Sequence, residues 1–392
     1  MTYARILAVF CLIGLAAALF VDLAYLPPHP FLPDESRFLD SAAHLRATGE
    51  FLANGAHAFE LPLPEAFFAL LGPDLIVIRL AQALMVPLGA WLVYAIGRRV
   101  FDDRAATLAG CASAVYPYFL FFQGTVLSET LFTTALLGFV AALYRLDGST
   151  RRTAGAMGLG ALATYAKASL TVLPPFLALP FTKPRTAVVG FAVYLLCLAP
   201  WWVRNYEVLH VFVPFSTSAA MNLYVGNNPR AVTGHGDWTV DVDPAEVARL
   251  QAIPDEVARS KAFSDAAIRF IEDNPGRFVT LCLIRLREYY SPVPNAAGYR
   301  AGLFTIVAVL SSGPVLLFAV IGLAATWRNW RRLLPLYALI GYFTALHTLT
   351  IASLRYRLPI EPYLILFAAA GAVAAYDWLG RVRSRMAISR SG

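Results

Sequence analysis

The sequence predicts an all-α protein that crosses a membrane many times, and two observations support this fold class. Of the 392 residues, 58% are hydrophobic and only 15% are charged, whereas an ordinary soluble domain has about 25% charged residues. The apolar residues also form runs that are long enough to cross a bilayer as helices. We therefore expect a polytopic membrane protein with about 10 transmembrane helices, within a range of about 9–12, and with surface-lying helices in its outer loops.

The predicted spans follow from the length of each apolar run. A hydrocarbon core of about 30 Å requires about 20 residues of helix. The first run is longer than the core of a signal peptide, so we expect it to stay as a helix. The pair 155–168 and 169–181 is short, and Pro174, Pro175 and Pro180 interrupt its second member. The predicted spans are 5–26, 74–97, 104–121, 129–146, 155–168, 169–181, 187–204, 301–326, 333–351 and 361–379.

These spans divide the chain into three parts. Residues 1–204 form an N-terminal transmembrane module with a first outer loop at 28–73. Residues 205–300 form a second outer segment with amphipathic helices, and residues 301–392 form the C-terminal transmembrane helices and a basic tail. The two long segments that leave the membrane therefore lie on the same predicted face.

Basic residues in the short loops predict the orientation. They fall on one side of the membrane in the ten-span arrangement, and basic short loops are typical of the cytoplasmic side. Both termini are then cytoplasmic, and the outer segments face the periplasm or exterior of a bacterium. The net charge of +7 is a topology signal on this interpretation, and no nucleic-acid partner is expected. The residues concerned are Arg98, Arg99, Arg104, Arg145, Arg151, Arg152, Lys183, Arg185, Arg328, Arg331, Arg332, Arg381, Arg383, Arg385 and Arg390.

Helix-start residues recur in the outer segments. The stretch PDES (33–36) opens one helix, in which Phe38, Ala42 and Leu45 form an apolar face. This pattern predicts an amphipathic helix that lies along the membrane surface. Three further helix starts fall in the second outer segment, at Asp243-Pro244, Pro254-Asp255 and Asn274-Pro275.

Carboxylates at the predicted outer face are the first site candidates. Asp34 and Glu35 follow the first span, where a carboxylate is able to act as a general base or to hold a cation. Capping of the helix start is the alternative explanation. Glu129 opens an apolar helix, where a buried charge indicates a cavity and where the helix dipole also favours an acid.

Cations at the same face are the second set of candidates. Lys167 ends a span, where it would pair with Glu129 or bind an anionic ligand. Arg204 follows two tryptophans, which anchoring at the membrane interface also explains. Arg355 and Arg357 lie in a short outer turn, where the topology rule disfavours cations, so they suit a phosphate near the bilayer surface. Glu361 and lipid headgroups are their alternative partners.

Several common chemistries lack their sequence patterns. The four cysteines and six histidines show no CxxC, HxxxH or HExxH spacing, which gives no support for zinc or a disulfide framework. The phosphate-binding loops and the serine-hydrolase elbow are also missing from the sequence. The remaining pattern, acids and bases at one outer membrane face, indicates chemistry on a lipid-linked anion.

Six stretches run in order through nearly the whole chain: PDESRF (33–38), YPYFLFFQGTVLSETLF (116–132), PWWVRNY (200–206), NLYVGNNP (222–229), AIRFIEDNPGRF (267–278) and RYRLPIEPY (355–363). Through this ordered set the chain resembles the C-type, polyprenyl-phosphate-dependent glycosyltransferases (the GT-C fold), in the bacterial branch similar to protein O-mannosyltransferases and the lipid A aminoarabinose transferase. The resemblance implies a transmembrane core whose first outer loop carries the catalytic carboxylate and two surface helices. It also implies that the donor lipid enters sideways from the bilayer.

The resemblance further implies a reaction. Asp34 matches the family's catalytic aspartate, with Glu35 beside it, and would accept the proton of the acceptor hydroxyl as that oxygen attacks the sugar with inversion. The donor would be a polyprenyl-phosphate sugar, and the acceptor a lipid, a glycan or a protein. Many members of the family act without a metal, so no cofactor is expected to be required, and a divalent cation stays an open alternative.

Fixed cations near the leaving phosphate would lower the reaction barrier by about 3 kcal/mol for each well-placed group. The stretch 222–238 is a candidate for acceptor or sugar contact, with a turn-rich loop as the alternative. The expected donor-phosphate ligands are Arg37, Lys167, Arg204, Arg355 and Arg357, and the other site candidates are Glu129, Tyr116, Asn222, Tyr224 and Asn227.

Two departures from the family and three rival functions stay open at this point. Glu60 occupies a position where related enzymes carry a basic residue, and Lys167 stands where an arginine is frequent.

A transporter or flippase for lipid-linked sugars would show broken helices in two repeated halves. A noncatalytic polyprenyl-lipid-binding protein would not need Asp34, and a polytopic ligase or polymerase would depend more on arginines of the second outer segment.

Overall fold

The computed structural model describes residues 2–214, 216–295 and 302–391, the last seven of these by their backbone alone. Within these ranges the chain forms helices that are joined by loops and turns, and it contains no strand. A single β-bridge joins Ala53 and Ala56 in the first outer loop. The predicted all-α class is therefore confirmed.

The first part of the described chain contains ten α-helices, and several of them start at a capping residue or a proline. Helix α2 begins with Pro33 at its first position, and the backbone N–H of Leu32 donates to the Glu35 carboxylate at 2.7 Å. It ends at Gly49, whose φ of 77° suits a glycine. A π-helical turn at Val21–Tyr25 extends α1. The ten are α1 (Tyr3–Phe20), α2 (Pro33–Thr48), α3 (Pro62–Leu71), α4 (Leu75–Ala83), α5 (Met85–Val100), α6 (Asp103–Ala114), α7 (Pro117–Gln123), α8 (Ser128–Leu143), α9 (Thr150–Ala166) and α10 (Leu173–Ala178).

The second part of the described chain contains nine helices. The helices predicted in the second outer segment are present, with Asp243 and Asp255 as caps that accept backbone N–H groups of α13 and α14. Helix α15 begins at Pro275 as predicted. The nine are α11 (Pro184–Leu209), α12 (Ser218–Gly226), α13 (Pro244–Gln251), α14 (Glu256–Asp273), α15 (Pro275–Tyr289), α16 (Gly302–Thr326), α17 (Trp330–Leu349), α18 (Leu354–Arg357) and α19 (Glu361–Ser391).

Five helical runs of the described chain are long and apolar enough to cross a membrane, and α6 with α7 makes a sixth if their 43° bend is taken as one broken span. The run of 48 residues at Gly302–Leu349 would be about 72 Å long if straight, more than twice the hydrocarbon thickness. The chain is a multi-pass membrane protein, and about ten spans stays a prediction. The five runs are Tyr3–Tyr25, Leu75–Val100, Pro184–Leu209, Gly302–Leu349 and Leu354–Ser384.

The predicted span at 169–181 is wrong as a single helix. The structure divides this stretch into the short helix α10 with a 3₁₀ turn on each side. Pro174, Pro175 and Pro180 account for the division, because proline removes a backbone donor and clashes with the preceding turn. Helix α9 already ends at Ala166, and the next residue, Lys167, has an extended backbone at φ −157° and ψ 121°.

Helices α16 and α19 pack with their backbones in close contact. A Cβ atom on Gly322 of α16 would lie 1.8 Å from the carbonyl oxygen of Phe367, and one on Gly371 of α19 would lie 2.2 Å from that of Phe318. Small residues that let helix backbones approach are a main source of helix association in membranes, since lipid is as apolar as leucine. This contact holds α19 in place. Arg355 lies on α18, and a single 3₁₀ turn at Leu358–Ile360 separates α18 from α19.

We predict that Gly322→Ala lowers the stability of the protein by about 1–3 kcal/mol, because the added methyl group forces the two helices apart. Gly313→Ala on the same helix is the matched control, since a Cβ there meets nothing within 4 Å. Thermal unfolding of both variants in detergent measures the difference. Equal unfolding temperatures for the two variants would contradict this account of the α16–α19 contact.

Candidate functional site

Six charged side chains of alternating sign form a continuous row, which we call the ion cluster: Glu60, Arg37, Asp34, Arg355, Glu129 and Lys167. In its first half, Arg37 Nη1 lies 2.8 Å from Glu60 Oε1, and Arg37 Nη2 lies 3.5 Å from Asp34 Oδ1. The Asp34 and Arg37 side chains are three residues apart on α2, so they share one helix face.

Arg355 joins the two halves of the ion cluster. Its Nη1 donates to Asp34 Oδ2 at 2.5 Å, and its Nε donates to Glu129 Oε1 at 2.6 Å. Lys167 Nζ donates to the same Glu129 oxygen at 2.9 Å. The predicted alternative for Lys167, a pair with Glu129, is therefore present, and three distant stretches of the sequence meet at one guanidinium.

The ion cluster is exposed at Asp34 and closed at Glu129. The Asp34 side chain is 42% exposed, whereas the Glu129 side chain is 0% exposed. Burial raises the pKa of Asp34, but the charges of Arg355 and Arg37 outweigh it and hold that pKa below its usual range. Asp34 is therefore ionised at neutral pH. No group of three or more His, Cys, Asp or Glu residues in the described ranges is arranged to hold a metal ion.

Glu35 does not take part in the ion cluster. Its side chain is buried, and its two oxygens accept the backbone N–H groups of Phe31, Leu32 and Val126 at 2.7–2.9 Å. These contacts tie the start of α2 to the turn before α8. The catalytic role predicted for Glu35 needs a free oxygen, so its contacts give it a positioning role for Asp34 instead.

Arg357 belongs to a second, closed ion pair. It is fully buried, its Nε donates to Glu361 Oε1 at 2.6 Å, and its Nη1 donates to the carbonyl oxygens of Tyr289 and Ser291. The Tyr116 hydroxyl donates to the other Glu361 oxygen at 3.0 Å. Arg357 therefore has the alternative partner predicted from the sequence, and a phosphate contact of Arg357 and a site role of Tyr116 stay predictions.

Arg204 stabilises the first outer loop. Its guanidinium donates to the carbonyl oxygens of His57 and Phe51 at 2.6 and 2.8 Å, and it lies 4.9 Å from the ring centroid of Trp201. These contacts use the cation to fix the loop path. The phosphate contact expected of Arg204 stays a prediction.

The stretch 222–229 packs against the protein. Tyr224 is buried with its ring 5.4 Å from that of Phe263, and Asn227 donates to the Leu349 carbonyl oxygen at 3.0 Å. Asn222 is half-buried. Tertiary packing therefore uses the side chains of Tyr224 and Asn227, and the sugar or acceptor contact expected of this stretch stays a prediction.

Arg285 of α15 is the buried residue whose role sequence reasoning missed. Its guanidinium donates to the carbonyl oxygens of Thr348, Leu349 and Gly226. Gly226 in turn lies against the backbone that follows α17, because a Cβ atom on Gly226 would be 1.9 Å from the Thr350 carbonyl oxygen. The second outer segment therefore holds the turn that leads to Arg355. An arginine within the apolar stretch of α15 is the signal that was available in the sequence.

Glu65 of α3 is a buried carboxyl group beside the ion cluster. Its side chain is 3% exposed, and its Oε2 has no hydrogen-bond partner. Burial, with a contribution from the Glu60 charge, raises the pKa of Glu65 to about 7, although Arg37 and Arg204 act in the opposite direction. Protonation of Glu65 therefore stabilises the packing of the first outer loop near neutral pH.

We predict that Glu65→Gln stabilises the protein at pH 8 and has little effect at pH 5. The folded-state pKa of about 7 lies above the unfolded value of 4.5, so the folded state binds this proton more tightly. Stability contributed by the proton is present at low pH and is lost as the pH rises through about 7, by up to about 3 kcal/mol.

Thermal unfolding of Glu65→Gln and wild type across this pH range tests the prediction, with Glu50→Gln on the exposed surface as the control. If the unfolding temperatures of wild type and Glu65→Gln change with pH in parallel, Glu65 is not the group that titrates.

The sequence and the fold both match known membrane proteins. Residues 63–203 match the sequence model of a family described as dolichyl-phosphate-mannose-protein mannosyltransferase, which covers less than half of the chain. No curated protein matches. The comparison with solved structures gives matches over nearly the whole chain.

The structural matches show the fold. The oligosaccharyltransferase of Archaeoglobus fulgidus in its apo form matches with a TM-score of 0.58 and 16% identity over 97% of this chain and 52% of that chain. The same enzyme tethered to an acceptor peptide gives 0.58 and 13% over 96% and 50%. ArnT from Cupriavidus metallidurans gives 0.42 and 17% over 95% and 78%.

The chain spans about half the length of the oligosaccharyltransferase that it matches. Its helices nevertheless follow that fold over almost all of their own length. The resemblance predicted from the sequence is confirmed: the chain has the fold of the C-type glycosyltransferases, and residues 63–203 carry the sequence pattern of the mannosyltransferase family.

Proposed function

We propose that the protein is an inverting glycosyltransferase of a bacterial inner membrane, which moves a sugar from a polyprenyl-phosphate carrier to an acceptor hydroxyl. The acceptor would be a lipid, a glycan or a protein on the periplasmic side, with both termini of the enzyme in the cytoplasm. The contact of a partly exposed, ionised Asp34 with Arg355 carries this proposal. A structure of the matched oligosaccharyltransferase contains a dolichol-phosphate, which supports a lipid phosphate as the donor.

Asp34 would act as the general base. The acceptor oxygen attacks the anomeric carbon of the sugar while its proton moves to Asp34. The bond between that carbon and the phosphate oxygen breaks, and the electron pair stays on the phosphate. Negative charge therefore grows on the leaving polyprenyl phosphate, and a fixed cation at that position lowers the barrier by about 3 kcal/mol.

Arg355 would connect donor binding to the activation of Asp34. Its Nε stays with the buried Glu129, while its Nη1 bond to Asp34 lies at the exposed end of the ion cluster. A donor phosphate that binds this end competes with Asp34 for the guanidinium. As the Asp34 bond weakens, the pKa of Asp34 rises and the carboxylate becomes a better base.

Glu129 would hold the cations in place for the phosphate. It is buried, and one of its oxygens accepts from both Lys167 and Arg355. Two cations are thereby fixed near one point on rigid helix ends, which is the preorganisation that electrostatic catalysis requires. Lys167, Arg355 and Arg37 are accordingly the cations that we propose as donor-phosphate ligands.

We predict that Asp34→Asn reduces kcat/KM by a factor of about 100 or more, since an amide cannot accept the acceptor proton. The measurement is transfer of radiolabel from a panel of polyprenyl-phosphate sugars, including the mannosyl donor, to acceptors in membrane vesicles. Asp40→Asn is the matched control, because Asp40 lies on the same helix and is exposed. Undiminished transfer by Asp34→Asn would remove Asp34 from the reaction.

We predict that Arg355→Lys reduces kcat/KM for the donor by about 10–100-fold, because lysine keeps the charge but cannot bridge Asp34 and Glu129 with two nitrogen atoms. Arg249→Lys is the control, since Arg249 pairs with Glu246 on the exposed surface of α13. Donor kinetics with the same labelled substrates measure the effect. If Arg355→Lys behaves as Arg249→Lys does, Arg355 has no role in donor binding.

A further inference from the structure

A cavity lies at the opposite end of α8 and α9 from Glu129 and Lys167 of the ion cluster. Glu129 is in the first turn of α8, and Arg145 follows the end of this helix. Helix α9 runs back from Arg152 in its first turn to Lys167 at its end. Since α8 has 16 residues, the two ends are separated by about 24 Å. The cavity between α5, α8 and α9 has a volume of about 750 Å³.

The floor of this cavity is apolar and open. Leu92, Ala141, Ala142 and Leu159 line it together with glycines of α8 and α9. A Cβ atom on Gly138 or on Gly155 would meet nothing within 4 Å. The glycines therefore form an unfilled groove between the helices, with room for a hydrocarbon chain.

The rim of the cavity is positively charged. Arg99, Arg145 and Arg152 line it, and Asp147 is the acidic residue among its lining residues. Arg152 Nη1 pairs with Asp147 Oδ2 at 2.9 Å. Within the described part of the chain, Arg99 and Arg145 have no carboxylate partner, so they give the rim an uncompensated positive charge.

The position of the cavity indicates a bilayer component. The Arg145 guanidinium lies 5.9 Å from the ring centroid of Trp91, which is 45% exposed. Tryptophan and arginine side by side are typical of the membrane interface. Basic pockets between transmembrane helices at the cytoplasmic surface bind anionic lipid headgroups, and the topology rule places this end of α8 and α9 on that side.

We propose that this cavity binds an anionic phospholipid, with its phosphate held by Arg99 and Arg145 and one acyl chain along the groove at Gly138 and Gly155. Guanidinium groups suit a phosphate because they donate pairs of parallel hydrogen bonds. An apolar floor beneath a basic rim fits a phospholipid better than a soluble anion, which has nothing to place on the floor. The site is independent of glycosyl transfer at the ion cluster.

The first test compares dioleoylphosphatidylglycerol with dioleoylphosphatidylcholine as ligands of the full chain in detergent, measured by native mass spectrometry. Wild type is expected to prefer dioleoylphosphatidylglycerol, the anionic lipid. The double variant Arg99→Gln/Arg145→Gln is expected to bind this lipid about 30-fold more weakly, because two basic contacts are lost. The double variant Arg98→Gln/Arg151→Gln removes the same charge outside the cavity lining and is expected to retain the lipid.

The second test fills the groove. Gly155→Leu is expected to weaken phosphatidylglycerol binding by about tenfold, while Gly158→Leu is its control, because both glycines are on α9 with open space at Cβ and only Gly155 lines the cavity. Thermal unfolding verifies that both variants fold. Three results would overturn the proposal. Wild type and the Arg99/Arg145 variant would bind the lipid equally, or a variant and its control would lose the same amount of lipid binding. The third is full displacement of the lipid by millimolar inorganic phosphate.

Discussion

The contact of Arg355 with Glu129 is the constraint on which the outer part of the molecule depends. A fully buried carboxylate is expensive unless cations accompany it, and removal of one partner from such a pair costs about 3–5 kcal/mol. Glu129 meets this requirement with Lys167 and Arg355, which both donate to the same oxygen of its carboxylate. Since Arg355 also reaches Asp34, the need to neutralise Glu129 fixes α2 relative to α8 and α9.

Four carboxylates near the site have different partners, and the partners decide their chemistry. Glu35 is occupied by backbone N–H groups, Glu361 by Arg357 and Tyr116, and Glu129 by two cations. Asp34 alone among these four keeps substantial exposure. The second outer segment helps to position Arg355. Arg285 of this segment donates to the carbonyl oxygens of Thr348 and Leu349, which precede the turn that leads to Arg355. It thereby restrains the position from which the Arg355 guanidinium contacts Asp34 of α2.

Local signals were sufficient to predict much of this arrangement from the sequence. The starts of α2, α13, α14 and α15 depend on capping residues and prolines within a few positions. The choice between adjacent candidates could not be predicted, because successive residues of a helix point about 100° apart. Asp34 therefore faces Arg355 while Glu35 faces the protein interior, and Arg357, two residues after Arg355, points to the opposite side. The packing of 222–229 depends on contacts between residues that are far apart in the sequence, such as that of Asn227 with Leu349, 122 positions away, which no local pattern contains.

The short length of α8 has a consequence for the depth of the ion cluster. Sixteen residues give a rod of about 24 Å, several ångströms less than the thickness of an average hydrocarbon core. None of the residues of α8 is exposed, so other parts of the protein surround this helix. If α8 stands upright in the membrane, at least one of its ends therefore lies below the edge of an average hydrocarbon core, and the full burial of Glu129 in its first turn agrees with such a position.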